Sequence, residues 1–303
     1  MKTFLKYVFL IALIFFVLEK GFYYFIAYAP KKEYDKRLEC ILEGKMNKDI
    51  VVLGSSRGAN DIIAKHVEDA THFSTYNLSY RGSNILFHEF ILTSLLKFNK
   101  PPQKVLLVLD GVFEFVGNST LNFRNDRLLP LKKYNYVNDE LIEQGEKNIL
   151  SHVFCLSRID RKDFSLRKSK PDPKNTLTPH GSILETAKLK KTLVYNHQPV
   201  PYTSDNEIPE YIDALRRIKQ MCRMNGIELV FVFPPNFETF NVSFFNRFSE
   251  FVDSEKVLVY DTLNPKYKDE SYYLDHSHLL KNGAEVFTSE IIKFLNKNKT
   301  SAE

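Results

Sequence analysis

Residues 49–58, DIVVLGSSRG, constrain the fold more than any other stretch of this 303-residue chain. Ile50–Leu53 is apolar at every position, which is typical of a strand in a parallel sheet covered on both faces. Gly54 permits an abrupt turn, and the hydroxyl groups of Ser55 and Ser56 follow at once. Residues 60–70 then have helical spacing, which predicts a helix over this range. We therefore expect both serines at the carboxyl edge of an α/β sheet, where open α/β folds place their active sites.

This turn has two interpretations. Ser56 would lie near the N-terminus of the following helix, whose dipole favours developing negative charge, so it is a candidate nucleophile. Serine-rich turns between a strand and a helix are also common in proteins without any catalytic serine there. The turn alone does not distinguish these alternatives.

The second informative stretch is residues 273–280, YLDHSHLL, just before a predicted C-terminal helix. A turn here can point the side chains of Asp275 and His278 the same way, so that the carboxylate holds the imidazole in one tautomer. That pair would supply the base and the orienting acid of a serine triad. The alternative is helix capping by Asp275 or Ser277. His276 is a rival base, although neighbouring side chains such as those of Asp275 and His276 usually diverge.

Together these two stretches resemble the SGNH (GDSL-type) hydrolase superfamily. Residues 54–56, GSS, are similar to its first block, G-D-S, with Ser56 in the nucleophile position. Residues 275–278, DHSH, are similar to its last block, D-x-x-H. Residues 77–82, NLSYRG, match its second block, N-L-x-x-x-G. The three motifs occur in the family's order, which makes their combination more specific than any one of them.

The resemblance covers about residues 48–115 and 226–297. It is closest to the envelope-associated branches, which include DltD-like proteins and alginate-acetylation-type acyltransferases. It implies a three-layer α/β/α sandwich with a mostly parallel, doubly wound sheet. It also implies a serine acyl esterase or O-acyltransferase without a cofactor, acting on a cell-envelope polysaccharide or cell-wall polymer. A membrane-bound acyltransferase would be a partner, and the soluble domain would lie on the extracytoplasmic, periplasmic side.

The resemblance implies a role for each member of the triad. Ser56 would attack an acyl ester, His278 would remove its proton, and Asp275 would orient His278. Backbone N–H groups of Ser56 and Gly82 would stabilise the oxyanion.

The third block of the family, G-x-N-D, is not matched. The corresponding residues 111–114 are GVFE, so Phe113 stands where a donating asparagine is expected. Asn84 or Asn236 could replace this donor. The predicted oxyanion and binding residues are therefore Gly82, Asn84, Ser55 and Arg57.

Residues 1–29 lie outside the predicted globular fold. An apolar run over residues 7–18 is interrupted by Glu19 and Lys20, and an aromatic-rich segment follows. We predict an uncleaved signal-anchor that spans the membrane, because the possible cleavage site at residues 27–29 lies far beyond the apolar core. Residues 7–29 supply the length of about 20 residues that a spanning helix needs only if Glu19 and Lys20 lie inside it. A cleaved signal peptide is the alternative. Residues 30–48 form a charged connector.

Residues 49–298 alternate strands and helices, which predicts a doubly wound parallel sheet. The alternation stops over residues 114–204, a polar, basic stretch that we interpret as an insertion of short helices with a mobile segment around residues 165–178. The insertion is either a lid or acceptor-binding surface for an anionic polymer, or merely a solvated charged face.

Composition excludes several function classes. The chain is 44% hydrophobic and 26% charged, ordinary values for a protein with a sizeable core. The net charge of +5 is mild and forms no nucleic-acid patch. Three widely separated cysteines predict neither a metal site nor a disulfide framework. Two function classes remain. The first is an envelope-anchored acyl esterase or O-acyltransferase, and the second is a non-enzymatic SGNH-like domain that binds glycan or a membrane partner.

Overall fold

The computed structural model describes residues 1–28, 35–164, 176–187 and 192–299. The chain divides into two compact units. The smaller comprises Met1–Lys36 and Arg124–Asp172, and the larger comprises Arg37–Phe123 and Pro173–Glu303. The predicted insertion is therefore split, because only its residues 124–172 join the N-terminal helix in the smaller unit. Most of the segment that we expected to be mobile, residues 165–175, lies outside the described residues.

The larger unit is built on a five-stranded, wholly parallel sheet with the order β2-β1-β3-β4-β5. The strands are β1 Ile50–Leu53, β2 Thr75–Asn77, β3 Lys104–Val108, β4 Glu228–Phe233 and β5 Lys256–Val259. The order changes direction between β1 and β3, which creates a crevice at their carboxyl ends. The predicted α/β class with a doubly wound parallel sheet is confirmed.

The helices of the described residues are α1 Lys2–Tyr28, α2 Arg37–Leu42, α3 Ser56–Asp61, α4 Ala64–Thr71, α5 Ile85–Phe98, α6 Asn125–Leu128, α7 Asn135–Glu143, α8 Pro209–Met224, α9 Val242–Ser249 and α10 Lys281–Lys299. Of these, α1, α6 and α7 belong to the smaller unit. The others cover the two faces of the sheet.

Side chains alternate between the two faces of the sheet, as the strand repeat requires. On one face, Val52 and Val232 pack in a cluster with Phe287 and Ile291 of α10, and α3 and α4 contact α10 there. From the other face, Phe231 packs against Phe248 of α9, with ring centroids 5.0 Å apart. The helices α2, α5 and α8 form a second contacting group. Burial on both faces explains why the strands are apolar at nearly every position.

The turn between β1 and α3 depends on two glycines. Gly54 has a φ of +156°, and a Cβ there would lie 3.0 Å from the Cβ and carbonyl oxygen of Val108. A side chain at Gly58 would collide with the hydroxyl of Ser79. Only glycine allows these close approaches. They bring the end of β1 tightly against its neighbours and place Ser56 as the first residue of α3.

In the smaller unit, the carboxylate of Glu19 is buried and accepts hydrogen bonds from the backbone N–H groups of Cys155 and Leu156. The rings of Phe15 and Phe154 pack edge to face, with centroids 5.8 Å apart. Within the described ranges, no helix combines the length and apolarity needed to cross a membrane. The predicted membrane-spanning helix is therefore unsupported, and four charged residues interrupt the apolar character of α1: Lys2, Lys6, Glu19 and Lys20.

Candidate active site

Ser56, His278 and Asp275 form a continuous hydrogen-bonded chain. The hydroxyl oxygen of Ser56 lies 2.7 Å from His278 Nε2. On the other side of the ring, His278 Nδ1 lies 2.8 and 2.9 Å from the two carboxylate oxygens of Asp275. Asp275 Oδ1 also accepts from the backbone N–H groups of Ser277 and His278, at 2.8 and 3.0 Å. The backbone of the turn thus fixes the position of the Asp275 carboxylate, and the carboxylate fixes the orientation of the His278 ring.

The charges of Asp275 and His278 favour an imidazole that can accept a proton from Ser56. Burial disfavours the charged form of His278, but its hydrogen bond to Asp275 and the carboxylate charge outweigh burial and raise the pKa of the imidazole. Burial likewise disfavours ionised Asp275, but the contacts with His278 prevail and lower the pKa of that carboxyl. Asp275 is then ionised at neutral pH and accepts from Nδ1–H. In the neutral imidazole, the Nε2 lone pair consequently faces the Ser56 hydroxyl.

The turn after β2 is fixed beside the turn that carries the nucleophile. Tyr80 donates its N–H to the Gly54 carbonyl at 2.9 Å, and the Ser83 hydroxyl lies 3.2 Å from the same oxygen. Behind Ser83, Nε2 of the buried His88 lies 2.9 Å from the hydroxyl. Burial lowers the pKa of His88 to about 3, so this ring is neutral. Gly82, with a φ of +71°, therefore sits in a rigid loop next to the nucleophile turn.

Ser55 and Arg57, which flank the nucleophile, tie neighbouring strand ends together. The Ser55 hydroxyl donates to Asp110 Oδ1 at 2.5 Å and accepts from the Arg57 N–H at 3.3 Å. The buried Arg57 guanidinium donates to the carbonyls of Leu109 and Pro234, at 3.2 and 2.6 Å. The two side chains thus join the ends of β1, β3 and β4.

The two asparagines considered as oxyanion donors have local partners. Asn84 is the N-cap of α5, and its amide nitrogen donates to the hydroxyl of Tyr211 at 3.2 Å. The amide nitrogen of Asn236 donates to Glu238 at 2.9 Å. The structure therefore places both amides in contacts that hold caps and turns.

The rival base, His276, lies apart from the nucleophile. Its side chain is exposed, and its Nε2 lies 3.1 Å from the carbonyl oxygen of Val194. Two residues later along the same turn, His278 is the histidine that contacts Ser56.

Two buried carboxyl groups near the triad, Asp61 and Glu114, and the half-buried Asp110 are not among the site residues that the sequence predicts. Asp61 is fully buried and accepts from the Leu279 N–H at 2.9 Å, while Glu114 accepts from the Asp110 N–H at 3.0 Å. Burial raises the pKa of Asp61 to about 7 and that of Glu114 to about 8, and it raises the pKa of Asp110 too. The positive charge of Arg57 opposes each rise. No local pattern marks these positions, because their burial depends on distant parts of the chain.

A solvent-open pocket lies at the carboxyl ends of β3, β4 and β5. Its aromatic lining consists of Phe113, Phe233, Phe240, Phe244 and Tyr260. Arg57 and Asp110 contribute polar lining. Arg57 directly follows Ser56 in the sequence, whereas the three triad residues are not part of the pocket lining.

No group of three histidine, cysteine, aspartate or glutamate side chains among the described residues is arranged to hold a metal ion. No protein-family model matches the chain, and no curated protein matches it.

Proposed function

We propose that this protein is a serine esterase or O-acyltransferase that works through a covalent acyl intermediate on Ser56. One observation carries the proposal: an unbroken hydrogen-bonded chain from the Ser56 hydroxyl through both nitrogens of His278 to Asp275, with links of 2.7 and 2.8 Å. This is the arrangement that activates a serine hydroxyl at neutral pH. The parallel sheet supports it, because the site occupies the crevice at the β1/β3 switch point.

The reaction has two halves. In the first, Ser56 Oγ attacks the ester carbonyl carbon and its proton passes to His278 Nε2. The resulting imidazolium is stabilised by Asp275 and returns the proton to the departing alcohol, leaving an acyl ester on Ser56. In the second, His278 takes a proton from water or from an acceptor hydroxyl as that oxygen attacks the acyl carbon. The imidazolium then returns this proton to Ser56 Oγ as the bond between the acyl carbon and Ser56 Oγ breaks. Water gives hydrolysis, and an acceptor hydroxyl gives transfer.

The oxyanion of each tetrahedral intermediate would be held by the backbone N–H groups of Ser56 and Gly82. A well-placed donor of this kind contributes about 3 kcal/mol to lowering the barrier. Phe113 occupies the position of the side-chain donor that the SGNH resemblance leads one to expect, and it lines the aromatic pocket. We therefore expect slow hydrolysis of free esters and an apolar environment for the acyl group.

The resemblance to envelope-associated SGNH proteins supports a substrate class. The acylated substrate would be an envelope polysaccharide or cell-wall polymer on the extracytoplasmic side, and a membrane-bound acyltransferase would be the partner. Apolar side chains of α1 are largely exposed, including Phe9 at 69% and Ile11 at 68%. Such a surface is typical of attachment to a membrane. Sedimentation of the full chain with lipid vesicles tests this part of the proposal, and a chain that stays in the supernatant contradicts it.

The second candidate is a non-enzymatic domain that keeps the fold and binds glycan. The absence of the third-block donor, with Phe113 in its place, favours this alternative. Its aromatic pocket would then receive a sugar ring instead of an acyl group.

Labelling with a fluorophosphonate probe distinguishes the two candidates, because the probe reacts only with an activated serine. We expect the full chain to be labelled, Ser56→Ala to lose the label, and Ser289→Ala to retain it. Ser289 is a suitable control because it is exposed on α10. An unlabelled wild-type chain that still binds glycan would favour the binding domain.

A further inference from the structure

We propose that Asp61 is a positioning residue for His278. It anchors the backbone next to the His278 ring and places a negative charge near the imidazole. This inference rests on the proposed function, because it assigns to Asp61 a part in the proton transfer from Ser56. Asp275 contacts the Nδ1 side of the ring and Ser56 the Nε2 side, so Asp61 would act through the backbone and through its charge and not by a hydrogen bond to the ring.

The first observation is that both ends of α3 contact the segment that carries His278. Ser56 is the first residue of this short helix and contacts His278 Nε2 at 2.7 Å. Asp61 is its last residue, and its Oδ1 accepts from the N–H of Leu279 at 2.9 Å. Leu279 follows His278 directly, so the spacing of the helix fixes the distance between the nucleophile and the backbone that carries the base.

The second observation is an unused buried oxygen. Asp61 is 0% exposed, and in the described part of the chain its Oδ2 has no hydrogen-bond partner. A buried polar atom without a partner is costly. Asparagine would accept the same Leu279 hydrogen bond without burying an ionisable group. The carboxyl is thus explained better by its charge than by the anchoring hydrogen bond alone.

The third observation is the set of charged groups around Asp61. Arg57 lies one turn earlier on α3, while His278, Asp275 and Tyr273 face it from the C-terminal segment. Burial raises the pKa of Asp61 to about 7, and the charges of His278 and Arg57 oppose that rise. Burial keeps Tyr273 neutral by raising its pKa. Asp61 and His278 therefore titrate as an interacting pair, in which an ionised Asp61 stabilises the imidazolium.

The decisive variant is Asp61→Asn, which keeps an acceptor for the Leu279 N–H and nearly the same volume but removes the charge. Asp69→Asn is the matched control, because Asp69 is exposed on α4 and pairs with Lys65. The imidazole of His278 is titrated by NMR in each full-length protein, with the signal assigned through His278→Gln. The pH profile of kcat/KM is measured with p-nitrophenyl acetate.

We expect Asp61→Asn to lower the pKa of His278 by about one unit, because a nearby negative charge has been removed. The acidic limb of kcat/KM should change from two interacting ionisations to one, and kcat should fall about tenfold at nearly constant KM. Asp69→Asn should match the wild type. An unchanged titration and pH profile in a folded Asp61→Asn protein would overturn the proposal and leave Asp61 a structural role.

Two further outcomes are informative. If the wild type neither cleaves esters nor reacts with the fluorophosphonate probe, the proposed function fails, yet the NMR titration still decides whether Asp61 acts on His278. If Asp61→Asn does not fold, Asp61→Glu, which retains the charge, is used instead. A His278 pKa at or above the wild-type value then supports the proposal, and a value about one unit lower contradicts it.

Discussion

Ser56 and His278 are 222 residues apart in the sequence, yet the Ser56 hydroxyl lies 2.7 Å from the His278 ring. Two features of the fold bring them together. The parallel sheet puts the end of β1 at its carboxyl edge, and α10 packs against α3, which begins with Ser56. The turn before α10 is thereby held over the start of α3. The contact depends on the assembled sheet, so it reports on the fold as well as on the chemistry.

Ser56 and His278 should act as a unit. Because neither can perform the proton transfer alone, we expect Ser56→Ala, His278→Ala and the double variant each to reduce kcat by at least about a thousandfold, with little difference between them. The measurement is hydrolysis of p-nitrophenyl acetate by purified full-length protein. Activity that survives Ser56→Ala and disappears in Ser55→Ala would assign the nucleophile to Ser55.

Asp275→Asn should reduce kcat by about 10³- to 10⁴-fold, because an amide can hold the ring of His278 in the wrong tautomer. The melting temperature should change little, since an asparagine still accepts the backbone hydrogen bonds of the turn. His276→Ala is the matched control and should keep most of the activity. Equal losses of activity in Asp275→Asn and His276→Ala would show that activity depends on the conformation of the turn and not on the Asp275 carboxylate.

Ester cleavage should require deprotonated His278, so kcat/KM should rise with pH through an apparent pKa above the ordinary value for histidine. The cause is Asp275, which raises the pKa of the imidazole. The same shift stabilises the fold at pH values below the unfolded pKa, and this contribution disappears as the pH rises through the folded pKa. A pH–rate profile and thermal melts across the same range test both statements. An acidic limb below the ordinary histidine value would contradict them.

Glu114→Gln should stabilise the protein at pH 8 by about 1–2 kcal/mol, as judged by urea unfolding. Burial raises the pKa of Glu114 to about 8, so the folded state retains a proton that the unfolded chain releases at a lower pH. Stability is therefore lost as the pH rises from the unfolded pKa to the folded one. Glutamine keeps an acceptor for the Asp110 N–H and cannot ionise.

The gain at pH 8 should vanish at pH 4, where both states hold the proton. Glu210→Gln, at an exposed position on α8, is the control and should show no such pH dependence. A Glu114→Gln protein that is equally stable relative to the wild type at both pH values would refute the assignment.

The sequence predicts some elements well because their signals are local. The span of β1, Ile50–Leu53, was anticipated because every position is apolar. The helix expected over residues 60–70 is instead broken into α3 and α4, because the Ile63 N–H donates to Thr288 and the Ala64 N–H donates to Ser182. Both partners lie more than 100 residues away, so no local pattern could reveal the break.

The candidate site also combines residues with a local sequence signal and residues whose role depends on distant parts of the chain. Ser56, Asp275 and His278 could be proposed because each belongs to a short motif with characteristic spacing. Asp61 and Glu114 could not, since their importance comes from burial, which depends on distant parts of the chain. The expected spanning helix finds no counterpart among the described helices, and Glu19 and Lys20 lie within α1.

The aromatic pocket, which Arg57 lines directly after Ser56 in the sequence, should select the acyl group, and Phe113 is the residue that tests this. Phe113→Ala would enlarge the pocket without touching the triad. Each additional buried methylene group contributes about 0.8 kcal/mol, or roughly a fourfold change in kcat/KM. We therefore expect Phe113→Ala to increase the preference for p-nitrophenyl butyrate and hexanoate over acetate by several-fold, with acetate cleavage nearly unchanged. Leu263→Ala, at a position 88% exposed, is the control. If Phe113→Ala reduces cleavage of all three esters equally, the pocket does not receive the acyl chain, and its aromatic lining is better explained by binding the rest of the substrate.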